Sequence, residues 1–285
     1  MIAVTGGTGQ LGRLVIDALL KRMAAVDIVA MVRDPARADA LQAQGVTLRQ
    51  GDYNDLGSLE SAFAGAQKLL LISAGEPVER VRQHENAIRA AKAAGVQLIA
   101  YTSILHADVS AISLAGDHRA TEALLKASGV PYVLLRNGWY TENYLEALPM
   151  ALQHGAFFGC AGDGRLATAS RSDYAEAAAV VMSSPEDHSG ATYELAGDQP
   201  YTLSNLAAEV ARQSGKAITY RNLSEESYRQ ALLGSGLPDE VAQMLVGFDV
   251  ATGQGALFDD SRTLSRLIRR PTTSLERAVA DALKG

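Results

Sequence analysis

The first half of the chain alternates between short apolar runs and longer stretches in which apolar residues recur at helical spacing. The apolar runs predict buried strands at residues 2–4, 27–32, 46–50, 68–73, 96–102 and 131–136. The helical spacing predicts helices at residues 10–22, 36–44, 56–64, 78–94 and 114–128. Connections of this length are too long for hairpins and are typical of parallel strands joined through helices. The pattern therefore predicts an α/β fold, a Rossmann-type doubly wound parallel sheet covered by helices on both faces.

After Asn137 the pattern changes to helices with few strands. Helices are predicted at residues 145–154, 172–182, 203–214, 225–233, 239–248 and 261–270, with a last turn or two after Pro271. Short strands are predicted at 193–196 and 218–220, and residues 155–164 are predicted to be rich in loops. We therefore predict a sheet domain over residues 1–138 and a smaller α/β C-terminal lobe over 139–285, which mainly binds substrate. The chain is free to cross back between them.

The opening stretch Thr5-Gly-Gly-Thr-Gly-Gln-Leu-Gly12 joins the first predicted strand to the first predicted helix. A strand, a glycine turn and a helix form the context that a dinucleotide site requires. Gly6 lets the chain reverse, Gly9 lets backbone N–H groups approach a pyrophosphate, and Gly12 lets the helix lie close to the sheet. The helix N-terminus adds unpaired N–H groups and a partial positive charge. The alternative is a glycine turn that binds no ligand.

Ligands of such sheets bind beyond the carboxyl ends of the strands. The candidate contact residues at those ends are Gly6 to Leu11, Arg33, Asp52, Ser73 to Gly75, Ser103 and Asn137. Tyr53 follows Asp52 and is a candidate for contact with the adenine, although a turn after a strand often carries such residues anyway.

Arg33 ends the second predicted strand, where the adenosine ribose of a dinucleotide is expected. An acidic residue there accepts hydrogen bonds from a free 2′-hydroxyl, whereas an arginine binds a 2′-phosphate with two N–H donors. Arg33 thus favours NADPH. Asp34 is the competing feature, because a shift of one residue would reverse the preference, and an ion pair between Arg33 and Asp34 is the alternative.

The sequence lacks the residues that reduce ordinary ketones in short-chain dehydrogenases. Those enzymes use a tyrosine acid whose pKa is lowered by a lysine four residues later, and none of the ten tyrosines here has a lysine at that offset. The helix expected to carry the pair has the sequence Ala115-Gly-Asp-His-Arg-Ala-Thr-Glu122, which contains neither a tyrosine nor a lysine. Without a proton donor the alkoxide product has no stabiliser. Either the protein is a nucleotide sensor without turnover, or it reduces an acceptor that needs little acid catalysis. A quinone is such an acceptor, because solvent can protonate the hydroquinone anion that hydride addition produces.

Asn137 follows a buried strand at the carboxyl edge of the sheet, where its amide can fix a nicotinamide or quinone oxygen. Trp139 and Tyr140 follow at once and can stack on flat rings, with core packing as the alternative for Trp139. His106 and His118 flank the expected mouth of the cleft, but a lone histidine is more often a packing or surface residue.

Composition narrows the remaining possibilities. The net charge of −6 argues against a nucleic-acid partner, and the arginines at 262, 266, 269 and 270 are predicted to form a solvated helix face. The single cysteine, Cys160, excludes an intrachain disulfide and fits a reducing compartment. No apolar stretch approaches the roughly 20 residues of a membrane helix, and no cleavage signal opens the chain. We therefore expect a cytoplasmic protein. The five histidines show no metal-ligand spacing, so no metal is expected.

Motifs along nearly the whole chain resemble one known group. They are Thr5-Gly-Gly-Thr-Gly-Gln-Leu-Gly12, Val32-Arg33, Ala100-Tyr-Thr-Ser103, Leu105-His-Ala-Asp108, Leu135-Arg-Asn-Gly-Trp-Tyr140, Glu142-Asn143, Tyr193-Glu-Leu-Ala-Gly-Asp198 and Leu257-Phe-Asp-Asp-Ser261. The chain is similar to the NmrA-like branch of the atypical short-chain dehydrogenases, and within it to the NADPH-dependent quinone reductases.

This resemblance implies flavin-free hydride transfer from NADPH to a small quinone in a slot between the lobes. We expect a monomer or a homodimer, and the sequence does not decide between them. The nucleotide contacts that it implies are Gly6, Gly7, Thr8, Gly9, Gln10, Leu11, Arg33, Ser73, Ala74, Gly75, Asn137, Gly138, Trp139, Tyr140, Thr141, Glu142 and Arg171. The family carries more hydroxyl side chains at Ala74-Gly75, so a ribose contact there is expected through the backbone alone. Related proteins reduce triphenylmethane dyes or sense nucleotides without catalysis, which leaves those two alternatives open.

Overall fold

The computed structural model describes residues 1–75 and 78–284. The chain forms two compact units, each assembled from three segments. Unit 1 comprises Met1–Ala107, Gly116–Asn137 and Arg171–Tyr193. Unit 2 comprises Asp108–Ala115, Gly138–Ser170 and Glu194–Gly285.

Strands and helices alternate along the first half, as the apolar pattern predicts. The strands are β1 (Ile2–Val4), β2 (Ile28–Val32), β3 (Thr47–Gln50), β4 (Lys68–Leu71), β5 (Leu98–Ile104), β6 (Tyr132–Asn137), β7 (Ala156–Gly159), β8 (Thr192–Leu195) and β9 (Thr219–Asn222). The helices are α1 (Gln10–Leu20), α2 (Asp39–Ala43), α3 (Leu56–Phe63), α4 (Arg80–Ala93), α5 (Ala115–Ser128), α6 (Thr141–Leu145), α7 (Leu148–His154), α8 (Arg171–Ser183), α9 (Leu203–Ser214), α10 (Glu225–Gly234), α11 (Asp239–Gly253), α12 (Thr263–Ile268) and α13 (Leu275–Ala282).

A seven-stranded sheet has the strand order β3-β2-β1-β4-β5-β6-β8. The pairings of β1 with β2 and β4, of β2 with β3, and of β5 with β4 and β6 are all parallel. The strand order reverses between β1 and β4, which is the position at which doubly wound sheets bind ligands. The predicted α/β fold with a doubly wound parallel sheet is confirmed.

The core of unit 1 forms because its strands are apolar on both faces and its helices on one. All five residues of β2 are buried, as are all seven of β5. In α1 the buried side chains include Val15, Ile16 and Leu19, which share one face at helical spacing. Phe63 and Tyr101 are among the largest fully buried side chains, so the apolar pattern of the sequence also locates the centre of this unit.

In unit 2 the structure corrects several predicted elements. Residues 156–159, predicted as loop, form β7, which pairs in parallel with β9. The helix predicted at 145–154 begins at Leu148 as α7, with Pro149 in its first turn, and it is preceded by α6, which was not predicted. The helix predicted at 239–248 continues to Gly253.

The basic helix predicted at 261–270 is shorter than expected. Helix α12 has six residues, and the flanking Arg262 and Arg269 both have left-handed backbone conformations, with φ of 57° and 56°. A regular helix face therefore does not carry all the arginines. They are nevertheless exposed, whereas Leu264 and Ile268 are buried. Among the described residues, no helix is long and apolar enough to span a membrane.

Candidate functional site

A cleft of about 590 Å³ lies in unit 1 at the carboxyl ends of β1, β2 and β4. The predicted site residues that line it are Gly6, Thr8, Gly9, Gln10, Leu11, Arg33, Ser73, Ala74 and Gly75. The cleft thus lies at the reversal of strand order, and it brings together residues that are separated by up to three strands and three helices in the sequence.

The glycine turn requires glycine at Gly6 for its backbone conformation and at Gly12 for its close backbone packing. Gly6 has a left-handed φ of 61°, and its carbonyl accepts a hydrogen bond from Gly9 N at 2.9 Å. A Cβ on Gly12 would overlap the carbonyl oxygen of Gly6 and lie 2.9 Å from its carbonyl carbon. Gly7 does not line the cleft in the described residues; its Cβ would lie 3.0 Å from that of Ala30, so it is required for packing against β2.

Helix α1 begins beside this turn without a side-chain cap. Its N-cap residue is Gly9, which has no side chain to accept a hydrogen bond from the first-turn N–H groups, and the first turn carries no acidic residue. Uncapped N–H groups and the helix dipole favour an anion at this end. The turn and the helix together therefore fit the pyrophosphate of a dinucleotide.

The far end of the cleft is basic. Arg33 and Arg37 are both exposed and both line the cleft, and among the described residues neither forms an ion pair. Asp34 also lines the cleft, but one oxygen of its carboxylate accepts the Ala36 N–H at 3.0 Å and caps a short 3-10 turn. The alternative ion pair between Arg33 and Asp34 is not formed.

Sequence reasoning missed several residues of the cleft. The lining residues that were not predicted include Arg13, Arg37, Asn54 and Gln83. Arg13 is held by a hydrogen bond from its Nε to the Thr8 carbonyl at 2.9 Å. A sequence signal existed for Arg37, which lies four residues beyond Arg33 in the short turn after β2, and for Arg13, which lies in the first turn of α1.

The turn after β3 contributes Asp52 and Tyr53, which both line the cleft. Asp52 accepts a hydrogen bond from Asn54 N at 2.8 Å. The Tyr53 hydroxyl donates to the Ile72 carbonyl at 2.7 Å, and burial raises its pKa well above the usual range. Ser103, another candidate, instead donates to the buried carboxylate of Glu122 at 2.6 Å, so its hydroxyl stabilises the core.

Asn137 ends β6 and is 6% exposed. Its backbone carbonyl accepts from Leu105 N at 2.8 Å. Its side-chain Oδ1 is buried and has no hydrogen-bond partner among the described residues. A buried acceptor without a partner costs about 1–3 kcal/mol, so this oxygen is a candidate ligand contact on physical grounds.

The remaining predicted cofactor residues follow Asn137 in unit 2 or begin α8. Gly138 N donates to Leu195 O at 2.7 Å, and Trp139 packs edge-on against Phe248 with ring centroids 4.9 Å apart. The Thr141 hydroxyl is bonded to that of Thr168, which is bonded to the Tyr201 hydroxyl, both at 2.8 Å. Tyr140 and Glu142 flank Thr141, and Arg171 is the first residue of α8. The roles of these residues in binding stay predictions.

Helix α5 carries a buried polar network where a tyrosine and lysine acid pair was sought. The Arg136 guanidinium binds Glu122 with two hydrogen bonds of 2.9 and 2.8 Å. His118 bonds the Tyr101 hydroxyl through Nδ1 at 2.7 Å. Burial lowers the pKa of His118 to about 4 and raises that of Tyr101 well above its usual value. Both groups are therefore neutral at neutral pH.

These features fit a dinucleotide. The glycine cradle, the uncapped helix and the basic end of the cleft match a pyrophosphate and a further phosphate. Asn137 does not line this cleft, but its unpartnered Oδ1 offers a further acceptor at the carboxyl end of β6. Among the described residues, no group of three or more histidine, cysteine, aspartate or glutamate side chains is placed to hold a metal ion.

Comparison with known proteins identifies the family of the chain. The sequence profile of the NmrA-like family matches residues 1–282. Quinone oxidoreductase 2 of Escherichia coli (strain K12) is 57% identical over 280 residues, which is 98% of this chain and 98% of that protein. A crystal structure of the Escherichia coli NADPH-dependent quinone oxidoreductase in complex with NADPH has a TM-score of 0.97 at 56% identity, covering 99% of this chain and 100% of that chain.

A more distant solved structure is the triphenylmethane reductase of Citrobacter sp., with a TM-score of 0.95 at 39% identity, covering 100% of this chain and 99% of that chain. The match to the family profile extends over nearly all of the chain, in agreement with the motifs. The resemblance predicted from those motifs is confirmed, and the chain belongs to the NmrA-like family.

Proposed function

We propose that this chain reduces small quinones with NADPH by direct hydride transfer, without a flavin. The observation that carries the proposal is the 57% identity, over nearly the full length of both chains, with Escherichia coli Quinone oxidoreductase 2. The cleft of unit 1 supports it, because its glycine cradle and its basic end are suited to a phosphorylated dinucleotide.

NADPH supplies the hydride when bound, and the chain supplies binding and orientation. The N–H groups of the glycine turn and of the first turn of α1 would hold the pyrophosphate. Arg33 would bind the 2′-phosphate with two N–H donors, and Arg37 adds positive charge at the same end of the cleft. Ala74 and Gly75 have no polar side chain, so their contact is through the backbone.

Asn137 would orient the nicotinamide. Its unpartnered Oδ1 is an acceptor and needs a donor. The carboxamide of nicotinamide carries N–H groups, whereas a quinone oxygen carries no hydrogen to donate. The unpartnered acceptor of Asn137 thus supports a contact with the carboxamide of the nicotinamide.

Quinone reduction needs little acid catalysis from the chain. Hydride addition to one face of the quinone gives a hydroquinone anion, whose charge is delocalised over an aromatic ring, and a proton from water completes the product. This agrees with an α5 helix whose polar side chains, among them Glu122, are committed to buried contacts. The rate of hydride transfer then depends on how the chain orients the quinone against the nicotinamide and excludes water from between them.

A second candidate function is the reduction of triphenylmethane dyes. It is favoured by the 39% identity and full-length superposition with the Citrobacter reductase. A nucleotide sensor without turnover is the alternative of another class.

One experiment separates these functions. The purified chain, free of flavin, is mixed with NADPH and either 1,4-benzoquinone or a triphenylmethane dye, and nicotinamide absorbance in the near ultraviolet is followed. We expect oxidation that depends on the quinone and exceeds that with the dye. Faster oxidation with the dye would favour the second function. Tight binding of NADP⁺ and NADPH without oxidation by either acceptor would establish a sensor.

We further propose that the protein acts in the cytoplasm as a monomer or homodimer that binds no nucleic acid. The net charge of −6 supports the last point. Burial raises the pKa of the single thiol, Cys160, to about 12, which fits a cysteine that stays reduced.

A further inference from the structure

The segment Ser73–Gly75 lines the cofactor cleft after β4, and two of its three residues lack a polar side chain. Any polar contact from Ala74 or Gly75 must come from the peptide groups. The position of the backbone therefore decides whether that contact forms, and a small displacement would remove it.

The peptide groups leading into this segment are held by side chains from other strands and turns. The Ile72 N–H donates to Thr5 Oγ1 at 2.8 Å, and the Ile72 carbonyl accepts from the Tyr53 hydroxyl at 2.7 Å. The Ser73 N–H donates to Thr102 Oγ1 at 2.9 Å. Where β4 ends, side chains thus replace the hydrogen bonds of the sheet.

His84 continues this pattern at the next residue. The Ala74 N–H donates to His84 Nε2 at 2.9 Å, so Nε2 carries no proton. His84 Nδ1 lies 2.9 Å from Thr121 Oγ1, whose hydroxyl donates to the Asp117 carbonyl at 2.9 Å. With the threonine hydrogen directed to that carbonyl, Nδ1–H must be the donor. The contacts fix one neutral tautomer of a ring that is 0% exposed.

Arg80 binds the other side of the same residue. Its Nε donates to the Ala74 carbonyl at 2.9 Å, and its Nη1 lies 2.7 Å from Asp117 Oδ2. Arg80 is 6% exposed. Both polar backbone atoms of Ala74 are therefore tied through α4 to Asp117 and Thr121, which lie one turn apart on α5.

We propose that His84, supported by Thr121 and by the Arg80–Asp117 ion pair, is a positioning residue that sets the backbone of Ser73–Gly75 for NADPH. The inference rests on the proposed function for the place of the cofactor. His84 does not itself line the cleft, and it acts through its hydrogen bond with Ala74, which does.

The first test is spectroscopic and needs no cofactor. A ¹⁵N–¹H correlation spectrum of the histidine rings at neutral pH is expected to show His84 neutral, protonated at Nδ1 and bare at Nε2. Burial lowers its pKa to about 3, which agrees with a neutral ring. A proton on Nε2, or a charged ring at neutral pH, would overturn the proposal.

The second test measures NADPH binding by fluorescence titration. Replacing His84→Leu removes the acceptor for Ala74 N–H and is expected to raise the Kd for NADPH about tenfold. The turnover number at saturating NADPH is expected to change less than about twofold. His84→Gln restores an acceptor at the Nε2 position, and the Kd should return to within about threefold of the parent.

His118→Leu is the matched control, because His118 is also buried in unit 1 but bonds Tyr101 instead of the cleft backbone. Its Kd for NADPH should stay that of the parent. An unchanged Kd in His84→Leu, no rescue by His84→Gln, or an equal loss in His118→Leu would each overturn the inference. A parent chain that binds no NADPH would instead remove the proposed function, and this inference with it.

Discussion

Arg33 and Arg37 give the cleft two guanidinium groups without an ion pair among the described residues, in a chain with a net charge of −6. Unpaired cations at one end of a nucleotide cleft favour the cofactor that carries an extra phosphate. The nearest acidic competitor, Asp34, is occupied in part by a backbone N–H. The preference for NADPH over NADH thus depends on which charged side chains of the cleft are already paired.

Arg33→Ala is therefore expected to raise the Kd for NADPH about 30-fold, because a bidentate contact to a charged group is lost. The Kd for NADH should change less than about twofold, since NADH has no 2′-phosphate. Titration of each variant with both nucleotides checks this. Arg89→Ala, at an exposed position of α4 outside the cleft lining, is the control. Equal losses for NADPH and NADH would remove Arg33 from the phosphate site.

Asn137→Ala is expected to lower turnover with NADPH and quinone about tenfold or more, because the nicotinamide loses its orienting contact. Its melting temperature should stay close to that of the parent, since Oδ1 makes no hydrogen bond within the described residues. Asn205→Ala gives the opposite pattern: Asn205 completes a capping box at α9, so stability falls by about 1 kcal/mol and turnover is retained. Unchanged quinone kinetics in a folded Asn137→Ala would exclude Asn137 from the site.

Residues that the sequence predicted correctly for the cleft follow directly from local patterns. The glycine turn and Arg33 are each placed by a strand end, which apolar periodicity identifies. Gln83 lies in the first turn of α4 and reaches the cleft only through the packing of that helix, which periodicity does not report. The partners of Ser103 and His84 likewise depend on how α4 and α5 meet the sheet.

At the scale of elements, the contact between α1 and the glycine turn is the tightest constraint on the cleft. Gly12→Ala places a Cβ against the backbone of Gly6, and neither side is a flexible side-chain end. The helix must therefore move away from the turn. We expect a loss of about 1–3 kcal/mol in the free energy of unfolding, as for other overpacked sites, together with weaker NADPH binding.

Gly116→Ala is the matched control, because Gly116 also lies in a helix of unit 1 and its nearest atom, Arg119 Nη2, is 3.9 Å from the added Cβ. That variant should gain about 0.5–1 kcal/mol, as alanine favours the helix. Urea denaturation and nucleotide titration of both variants provide the measurements. A Gly12→Ala chain as stable as Gly116→Ala would show that α1 tolerates the shift.

The elements that were predicted wrongly depend on features that local apolar periodicity does not report. Strand β7 is only four residues long, and it pairs with β9, which lies about sixty residues later, so its formation depends on a distant partner. The range predicted for helix α12 wrongly included Arg262 and Arg269, because periodicity assumes a regular helical backbone. Both residues have a positive φ, which ends the helix on either side. Long strands such as β5 and helices such as α9 carry enough local signal to be recognised alone.

For the whole molecule, buried histidines link folding to pH. Burial lowers the pKa of His84 to about 3 and that of His118 to about 4, from a value of 6.5 for the free side chain. Between about pH 4 and 6.5 the unfolded chain therefore binds protons that the folded chain does not. The contribution of the two histidines to the free energy of unfolding is fully present above pH 6.5, and it is lost as the pH drops through this range. Asp249 acts in the opposite direction, because burial raises its pKa to about 6.

Lowering the pH from 7 to 5 should cost about 2 kcal/mol for each of the two histidines, against a gain of about 1 kcal/mol from Asp249. The net effect is a loss of about 2–3 kcal/mol in the free energy of unfolding, measured by urea denaturation followed by circular dichroism. In His118→Gln the loss should shrink by about 2 kcal/mol, because one of the two proton-linked groups is gone. His154→Gln, at the exposed end of α7, should keep the pH dependence of the parent. A parent chain that is equally stable at both pH values would contradict this prediction. It would show that neither buried imidazole resists protonation and that His84 and His118 are not held neutral.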